Sequence, residues 1–359
     1  MKNVFVCTTQ YQLFNIVNII NQDFSKDINE LLIVGFVPAL KARLEELAAK
    51  SEKFSRITFI KTGKADGTIK SYIGCAFKML CPSLIPFKAY SINRLFISST
   101  EIFSRIIAYK FFGCSNSLEL YYFEDGLESY MEVLDSSVKN RTNRLLSRRF
   151  GYSLISKCCG MYVYKPSYVI SNPYNIKLYT INSMDIDSPY AKELYQLFTV
   201  DKPIRFLSGT ALFLDAWFVN KIDKANSEKL ISLVLNIAKE RMVIKPHPSN
   251  YDELKKNQKN TVLIDSKDNF EIIYMNGGVK DAILISAFST ACLLPKLIFN
   301  EEPKVILLYR LFERYPDVWK SGEEFYLRVQ KDYTNPDNFI IPNNLDELEG
   351  ALKVNNLEN

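Results

Sequence analysis

The chain lacks several features by which whole classes of protein are recognised. No apolar run is long enough to cross a bilayer, and polar residues such as Gln10, Gln12, Asn15 and Asn18 interrupt the apolar N-terminal stretch, so neither a membrane-spanning helix nor a signal peptide is predicted. Seven cysteines include no CxxC pair, which argues against zinc or redox work. No repeat, low-complexity tract or basic and aromatic alternation suggests a solenoid, a disordered chain or a nucleic-acid platform.

The composition is that of a globular protein with more than one domain. The chain has 359 residues, of which 47% are hydrophobic and 24% are charged, and this length suits two α/β domains of roughly 150 to 200 residues each. The net charge of +5 is the small difference between 45 basic and 40 acidic residues. Such a charge is compatible with an acidic substrate or a membrane surface and does not call for nucleic acid. Cysteines in mostly apolar surroundings predict reduced, buried thiols and a cytoplasmic location.

Strand and helix patterns alternate along the whole chain. Asn3–Cys7 is a β-branched and aromatic run, a polar TTQ follows, and Tyr11–Ile20 shows apolar residues at helical spacing. Repetition of this unit predicts an α/β fold class with parallel sheets. We expect an N-terminal Rossmann-like domain at 1–195 and a C-terminal one at 200–359, with an irregular connection at 168–201. The C-terminal domain is predicted to contain strands at Ile204–Ser208, Met242–Ile244, Val262–Ile264, Ala282–Ile285 and Val305–Tyr309.

The first motif with chemical potential follows a predicted strand. In an open parallel sheet, ligands bind beyond the carboxyl ends of the strands, and Leu118–Phe123 runs directly into Glu124, Asp125 and Gly126. Two adjacent carboxylates at a buried strand end repel each other, which raises at least one pKa and suits a general base. An acidic Asp-Gly turn is the alternative interpretation.

The second motif, MVIKPHPSN at 242–250, contains the only histidine of the chain. Pro246 and Pro248 fix the backbone on both sides of His247, and Lys245 lies two residues before it. A rigid loop that holds an imidazole beside an ammonium group can bind a phosphate, or protonate one as it leaves. A surface histidine in a stiff turn is the alternative.

The third motif, ILISAFSTACLL, breaks a predicted strand at Ser286 and begins a helix near Ser289 and Thr290. Hydroxyls and free amides at a helix N-terminus can bind an anion without a metal. The same residue types are also common as ordinary helix caps, so this motif alone does not decide between the two roles.

In this order, EDG, KPHP and FST resemble the three motifs of the bacterial sialyltransferases, which are an acidic pair before a glycine, a His-Pro motif and a later serine/threonine motif. The opening FVCTTQYQL also resembles the start of the lipooligosaccharide and capsule sialyltransferases of glycosyltransferase family 52, and the correspondence runs over nearly the whole chain. The resemblance implies a GT-B fold, with two Rossmann-like domains whose parallel sheets face a central cleft. It further implies inverting transfer of sialic acid from CMP-sialic acid to a galactose-type hydroxyl of a bacterial surface glycan, without a metal or other cofactor.

The resemblance also implies roles for residues of the acceptor side. Glu124 and Asp125 match the acidic pair, one of which would deprotonate the acceptor hydroxyl. Some family members instead place the base in the loop after the first strand of the second domain. Here that loop reads FLSGTALFLDAWF, in which Asp215 is the nearest acid and comes later than expected. The base therefore stays open between these three acids.

On the donor side, His247 matches the histidine that contacts the CMP phosphate and assists its departure. Ser289 and Thr290 match the hydroxyls that bind the same phosphate. The full set of residues expected to bind the nucleotide is Lys245, His247, Pro248, Ser286, Ser289, Thr290 and Gly209.

Two other charged segments are not assigned to the predicted active site. Asp185 and Asp187 form the DxD pattern by which many glycosyltransferases hold a divalent cation, but they lie in the predicted connection with no strand before them, so no metal site is expected. The basic segment 141–149 is interpreted as a solvated helix face, with attraction to anionic lipid or a charged acceptor as the alternative.

The expected partners are a CMP-sugar donor and an oligosaccharide acceptor, with no nucleic acid. Peripheral contact with the inner face of the plasma membrane and a homodimer are further options. Two alternative functions stay open: a glycosyltransferase of the same fold with another donor, such as a glucosyl donor, and a non-catalytic sugar-nucleotide-binding subunit of a polysaccharide assembly complex. A sugar-nucleotide epimerase would share the two Rossmann-like domains, but the order of the three motifs fits it poorly.

Overall fold

The alternation of strands and helices produces one parallel sheet in each half of the chain. The chain divides into two compact units, Met1–Asn182 and Ser183–Asn359. The boundary lies inside the predicted connection 168–201 and ahead of the predicted domain end at residue 195. The computed structural model describes residues 1–35, 38–61, 92–98, 102–113, 117–131, 137–199, 204–216, 221–247, 250–257, 262–266, 268–277, 279–312 and 319–353.

The first unit contains, in its described part, a seven-stranded parallel sheet. Its strands are ordered β3-β2-β1-β4-β5-β6-β7, so the order reverses between β1 and β4. The strands are β1 (Lys2–Cys7), β2 (Ile28–Gly35), β3 (Arg56–Lys61), β4 (Arg94–Ser98), β5 (Glu119–Phe123), β6 (Cys158–Val163) and β7 (Leu178–Thr180). The helices are α1 (Gln10–Ile19), continued by a π-helical turn (Ile20–Phe24), α2 (Pro38–Lys50), α3 (Ile102–Phe112), α4 (Glu128–Met131) and α5 (Ser137–Phe150), with 3-10 turns at Ile155–Lys157 and Pro166–Tyr168.

The second unit repeats this topology with six strands among its described residues. The order is β10-β9-β8-β11-β12-β13, again all parallel, with the reversal between β8 and β11. The strands are β8 (Ala211–Leu214), β9 (Met242–Lys245), β10 (Val262–Leu263), β11 (Ile283–Ser286), β12 (Val305–Leu307) and β13 (Phe339–Ile340). The helices are α6 (Pro189–Phe198), α7 (Lys221–Ala238), α8 (Tyr251–Asn257), α9 (Phe270–Met275), α10 (Trp319–Lys331) and α11 (Leu345–Leu352). Single turns or short segments are Lys239–Arg241, Thr290–Leu293, Pro295–Phe299, Tyr309–Leu311 and Pro336–Asn338.

The predicted strand Ile204–Ser208 is wrong. The chain there is irregular and ends in a turn in which the Thr210 amide and hydroxyl both donate to the Leu207 carbonyl (3.1 and 2.7 Å). Gly209 has a positive φ of 73° in this turn, a conformation that glycine adopts without strain. The first strand of the second unit is therefore Ala211–Leu214, four residues that are all buried. Gly209 precedes this strand and Asp215 follows it directly.

The helix predicted near Thr290 has an unusual form. A 3-10 turn over Thr290–Leu293 leads into a π-helical segment over Pro295–Phe299. No helix of the described residues is both long and apolar enough to cross a membrane.

Aromatic side chains form a row across the sheet of the first unit. Phe5 stacks on Phe96 (4.4 Å between ring centroids), Phe96 stacks on Tyr121 (5.2 Å), and Tyr162 stacks on Tyr179 (5.1 Å). These rings belong to neighbouring strands, and cross-strand aromatic pairs of this kind stabilise a sheet. Gly160 on β6 leaves room for the last ring, because a Cβ atom there would collide with the Tyr179 ring.

We predict that Gly160→Ala destabilises the first unit by about 1–3 kcal/mol, because the added methyl group would overlap the Tyr179 ring and lie 2.9 Å from the Lys177 carbonyl oxygen. Urea denaturation measures the change. Gly350→Ala is a matched control, since Gly350 lies in α11 and a Cβ there meets nothing within 4 Å. This control should gain about 0.5–1 kcal/mol. Equal stability of Gly160→Ala and the parent would contradict the packing.

Candidate active site

Apart from Gly209, the predicted site residues lie at the carboxyl ends of strands close to the point where strand order reverses. In the first unit Glu124 and Asp125 follow β5, and in the second unit the predicted residues lie at the ends of β8, β9 and β11. Such a reversal leaves a crevice beyond the strand ends, because the connections on its two sides run to opposite faces of the sheet.

Glu124 is fully buried at the end of β5. Its carboxylate accepts hydrogen bonds from the Tyr11 hydroxyl (2.8 Å), the Tyr130 hydroxyl and the Tyr164 amide (3.2 Å). Burial raises the pKa of Glu124 to about 7, and the three donors oppose that rise. Glu124 thus has no exposed surface, and its hydrogen bonds tie together three segments of the first unit.

Asp125 is half-buried, in contrast to its neighbour. Its Oδ2 atom accepts hydrogen bonds from Gln12 Nε2 (2.8 Å) and Ser98 Oγ (2.7 Å). Gln12 is itself oriented, because its Oε1 atom accepts from both the amide and the hydroxyl of Thr8 (2.7 and 2.9 Å). The Asp125 amide donates to Ser129 Oγ (2.9 Å). The carboxylate is therefore held in one orientation while part of the residue is open to solvent.

The residues that hold this acidic pair are not among the predicted site residues. Gln12 and Asn15 interrupt the apolar N-terminal stretch, and both are buried and face the carboxyl end of β5. Asn15 Nδ2 donates to the Glu124 carbonyl (3.1 Å), and Asn15 Oδ1 accepts from the Tyr164 hydroxyl (2.8 Å). The available signal was the helical spacing of amides within an otherwise apolar helix, which indicates polar partners in the core.

Asp215 in the second unit is buried and holds the loop after β9. Its Oδ2 atom accepts hydrogen bonds from the His247 amide (3.1 Å) and from Asn250 Nδ2 (3.0 Å), and its own amide donates to the Lys245 carbonyl (3.0 Å). Only 7% of Asp215 is exposed. Its late position in the loop is explained by the corrected strand, since Asp215 directly follows β8.

His247 and Lys245 are half-buried at the end of β9. Burial lowers the pKa of His247, and the charge of Lys245 lowers it further, so the imidazole is neutral near pH 7. Lys245 Nζ donates to the Ser266 carbonyl (3.3 Å). Pro248, which was also predicted to contact the nucleotide, lies outside the described residues.

The serine/threonine motif divides between buried and accessible hydroxyls. Ser286 is fully buried, where its hydroxyl donates to the Leu214 carbonyl (2.7 Å) and accepts from the Ser289 amide (3.0 Å). Ser289 and Thr290 are half-buried, and Ser289 Oγ accepts from the Ala291 amide (3.3 Å) as the cap of the 3-10 turn. Ser286 thus fixes the loop, and the next two hydroxyls lie on its outer part.

Hydrogen bonds connect the three strand ends of the second unit to one another. The His247 amide binds Asp215, which follows Leu214 in the chain, and the Leu214 carbonyl accepts from Ser286, whose hydroxyl in turn accepts from the Ser289 amide. The structure therefore brings the loops that carry the His-Pro and serine/threonine motifs to adjacent positions at one edge of the sheet.

Gly209 does not join this group. It lies before β8, where its amide donates to the Asp281 carbonyl (3.1 Å), and the length of the strand separates it from Asp215. Its predicted place in the nucleotide site depended on the incorrect strand at 204–208. The turn geometry described above accounts for the glycine.

Glu271 is a further buried acid that sequence analysis missed. It lies in the first turn of α9, 3% exposed, and its Oε1 atom accepts from Asn269 Nδ2 (2.9 Å). Burial raises its pKa to about 7, and the charge of Lys245 opposes the rise. The signal in the sequence was a glutamate within the apolar run FEIIYM.

The Asp185-Ile186-Asp187 segment forms a local turn. Asp185 Oδ1 accepts from the Asp187 amide (2.9 Å). Among the described residues, no group of three His, Cys, Asp or Glu side chains is arranged to hold a metal ion.

The comparisons with known proteins identify a family model and several related folds. The model for the alpha-2,8-polysialyltransferase family (POLYST) matches residues 3–309. No curated protein sequence matches the chain.

Among solved structures, UDP-N-acetylglucosamine 2-epimerase from Rickettsia bellii is 13% identical with a TM-score of 0.56, over 98% of this chain and 87% of that one. LpCGTa in complex with UDP is 9% identical with a TM-score of 0.54, over 98% and 89% of the two chains. The spinosyn rhamnosyltransferase SpnG with thymidine diphosphate is 13% identical with a TM-score of 0.52, over 98% and 91%. At these identities the likeness concerns the fold alone, and it confirms the predicted α/β fold of the GT-B class.

We predict that Glu124→Gln changes how stability depends on pH. A carboxyl whose pKa is raised from 4.5 to about 7 by folding stabilises the folded state below pH 4.5, and this contribution is lost as pH rises through 7. Relative to the Gln variant, the parent should therefore lose about 2–3 kcal/mol of unfolding free energy between pH 5 and pH 8. Urea denaturation at several pH values measures the difference.

Glu347→Gln is the control for this experiment. Hydrogen bonds from the Asn343 amide and side chain lower the pKa of Glu347, so its contribution is lost only as pH falls below about 4.5. The parent and this variant should differ by a constant amount between pH 5 and pH 8. A constant difference for Glu124→Gln as well would show that Glu124 titrates at its ordinary pKa.

Proposed function

The chain belongs to the alpha-2,8-polysialyltransferase family, and we propose that it transfers sialic acid from CMP-sialic acid to a hydroxyl of a bacterial surface glycan, with inversion at the anomeric carbon. Family membership supports sialyl transfer. The observation that carries the finer proposal is the hydrogen-bonded edge of the second unit, which holds a histidine, a lysine and two hydroxyls on neighbouring loops. The resemblance of the opening segment to glycosyltransferase family 52 and a role in capsule or lipooligosaccharide synthesis stay predictions.

The reaction requires two kinds of group. The bond between the anomeric carbon and the phosphate oxygen breaks, its electron pair leaves with CMP, and the sugar passes through an oxocarbenium-like state. The acceptor oxygen then bonds to the opposite face of the anomeric carbon and loses its proton. A protein that catalyses this step needs donors for the developing phosphate charge and one base for the acceptor proton.

We assign the phosphate to the loops after β9 and β11. Lys245 supplies a positive charge, His247 a neutral imidazole N–H, and Ser289 and Thr290 hydroxyl donors. A phosphate beside His247 would favour its protonated form and raise its pKa, so the imidazole could pass a proton to the departing phosphate. Asp215 acts in this scheme as a positioning residue, because its carboxylate is used to hold the His247 loop.

We assign the acceptor base to Asp125. Its carboxylate is oriented by Gln12 and Ser98 and the residue is partly exposed, whereas Glu124 is sealed from solvent by its three donors. A base must lie within hydrogen-bond reach of the proton that it removes. Glu124 then acts as a positioning residue for the strand end that presents Asp125.

The acceptor sugar is proposed from the family name. An α-2,8 linkage between sialic acids would make a sialic acid hydroxyl the acceptor, whereas the motif resemblance suggested a galactose-type hydroxyl. Because the family model matches residues 3–309 and the motifs are short, we favour the sialic acid acceptor. Assays with sialylated and galactose-terminated oligosaccharides separate the two.

We predict that CMP raises the melting temperature of the protein more than UDP or GDP does at equal concentration, since a ligand that binds the folded state stabilises it according to its affinity. His247→Ala should weaken CMP binding about 10-fold, as expected for one lost hydrogen bond to a charged group. A thermal-shift assay measures the melting temperatures, and calorimetric titration measures the CMP affinities. Preference for UDP would favour the alternative glycosyl donor, and unchanged CMP affinity in His247→Ala would contradict the phosphate assignment.

We predict that Asp125→Asn lowers kcat for sialyl transfer by about 100-fold or more while CMP affinity stays within a factor of two or so, because a base acts only on the acceptor proton. Steady-state kinetics with CMP-sialic acid test this. Asp185→Asn is a matched control at an acid whose carboxylate closes a local turn, and it should retain activity.

The same assay separates the remaining alternatives. Activity is expected to persist in EDTA, and loss that magnesium or manganese reverses would point to a metal. Full activity of Asp125→Asn would move the base to another acid. If neither the parent nor any variant transferred sugar although CMP bound, the non-catalytic subunit would be favoured.

A further inference from the structure

The helix α5 (Ser137–Phe150) is strongly basic. Its sequence, SVKNRTNRLLSRRF, contains five of the 45 basic residues and none of the 40 acidic ones. Without these five residues, the chain would have equal numbers of basic and acidic residues. Clustered positive charge of this kind creates a local positive potential that the small net charge of the whole chain does not indicate.

One face of α5 packs onto the first unit. Leu146 is 6% exposed, the Ser147 hydroxyl is hydrogen-bonded to the Tyr109 hydroxyl (2.8 Å), and the Phe150 ring stacks on the Tyr109 ring (5.2 Å between centroids). Tyr109 belongs to α3, so α5 lies against α3 through these residues. The orientation of the C-terminal half of the helix is thereby fixed.

The opposite face presents Arg144, Leu145, Arg148 and Arg149 to solvent. Leu145 is 66% exposed, and no carboxylate of the described residues forms an ion pair with any of the three arginines. Arg144 and Arg148 are four residues apart, a spacing at which like charges destabilise a helix. This basic face, as we call these four residues, has no ion-pair partner in the part of the first unit that the structure describes.

Stabilisation of the helix itself accounts for only some of the residues on the basic face. Arg148 and Arg149 lie in the last turn, where positive charge interacts favourably with the helix dipole. That interaction does not extend to Arg144, which lies further from the end, and it gives no reason for an exposed leucine among the arginines. Basic residues on one helix face are attracted to anionic lipid, and an exposed apolar side chain among them can enter the membrane interface.

We propose that the basic face of α5 docks on the anionic phospholipid surface of a membrane. The guanidinium groups would contact lipid phosphates, and Leu145 would enter the boundary between headgroups and acyl chains. A soluble polyanionic glycan could also attract the arginines, but it offers no apolar phase for Leu145, and this favours the lipid surface. The proposal does not depend on the donor, the acceptor or the catalytic residues assigned above.

The test is flotation of the full chain with phosphatidylcholine vesicles that contain or lack phosphatidylglycerol. Binding is expected only to the anionic vesicles and should fall as salt increases. Arg148→Gln/Arg149→Gln should weaken it about 30-fold, since each basic residue near such a surface contributes about fivefold. Leu145→Ser should weaken vesicle binding several-fold relative to the parent. The effect should be clearest at high salt, where the electrostatic attraction is screened and the apolar contribution remains.

Lys255→Gln/Lys256→Gln is the matched control, because it removes two adjacent exposed cations from α8, a helix that also contains acidic residues. It should bind anionic vesicles within about twofold of the parent. Circular dichroism and the melting temperature show whether each variant is folded, and neither readout uses the lipid surface.

Three results would overturn the proposal. The parent could fail to bind anionic vesicles, the α5 variants could bind as well as the parent, or both charge variants could weaken binding equally. A soluble polyanion, dextran sulfate, distinguishes the remaining partner. If it bound the parent through Arg148 and Arg149 while anionic vesicles did not, the face would be a polyanion site and the membrane proposal would fall.

Discussion

The acidic pair of the first unit depends on a carboxyl group that is buried at a strand end and supplied with donors from three directions. An unpaired carboxylate inside a protein costs several kcal/mol, so burial of Glu124 is tolerable only with such partners. Tyr11, Tyr130 and Tyr164 provide them, and each comes from a different segment of the chain. The need to satisfy this one group therefore positions the N-terminal helix, the turn after β5 and the end of β6 around the accessible Asp125.

The second unit also contains a buried acid that is satisfied by hydrogen bonds, but its donors come from a loop. There Asp215 is the buried acid, and its donors are the backbone and side chain of the loop after β9. Ser286 does the same for the loop after β11. In both units a buried polar group fixes a loop, and a neighbouring group is more accessible. This explains why residues close together in sequence, such as Glu124 and Asp125 or Ser286 and Ser289, differ in exposure.

Many of the strands and the three motifs at strand ends could be predicted from the sequence. The predictions that were wrong or incomplete have physical causes. The buried strands β1 and β5 are recognisable in the sequence, as Asn3–Cys7 and Leu118–Phe123, because most of their residues are β-branched, aromatic or otherwise apolar. Ile204–Ser208 has the same appearance but ends in a Gly209 turn, and pairing with β9 begins only at Ala211. Single residues were harder, because the roles of Gln12 and Asp215 are set by partners distant in sequence. A motif identifies which residue types meet at an edge, but hydrogen bonding decides which of them remain accessible.

The charge of Lys245 acts on two other ionisable groups of the second unit, His247 and Glu271. Its ammonium group lowers the pKa of His247 and also opposes the rise in the pKa of Glu271, so both groups respond to the same positive charge. If a phosphate binds beside Lys245, as proposed, its negative charge offsets the ammonium field at both residues. The pKa of His247 and that of Glu271 would then rise together, since a nearby anion favours protonated groups. Nucleotide binding would therefore be accompanied by proton uptake near neutral pH. A rise in the pKa of His247 favours the protonated imidazole, which is the form that can donate a proton to a leaving phosphate.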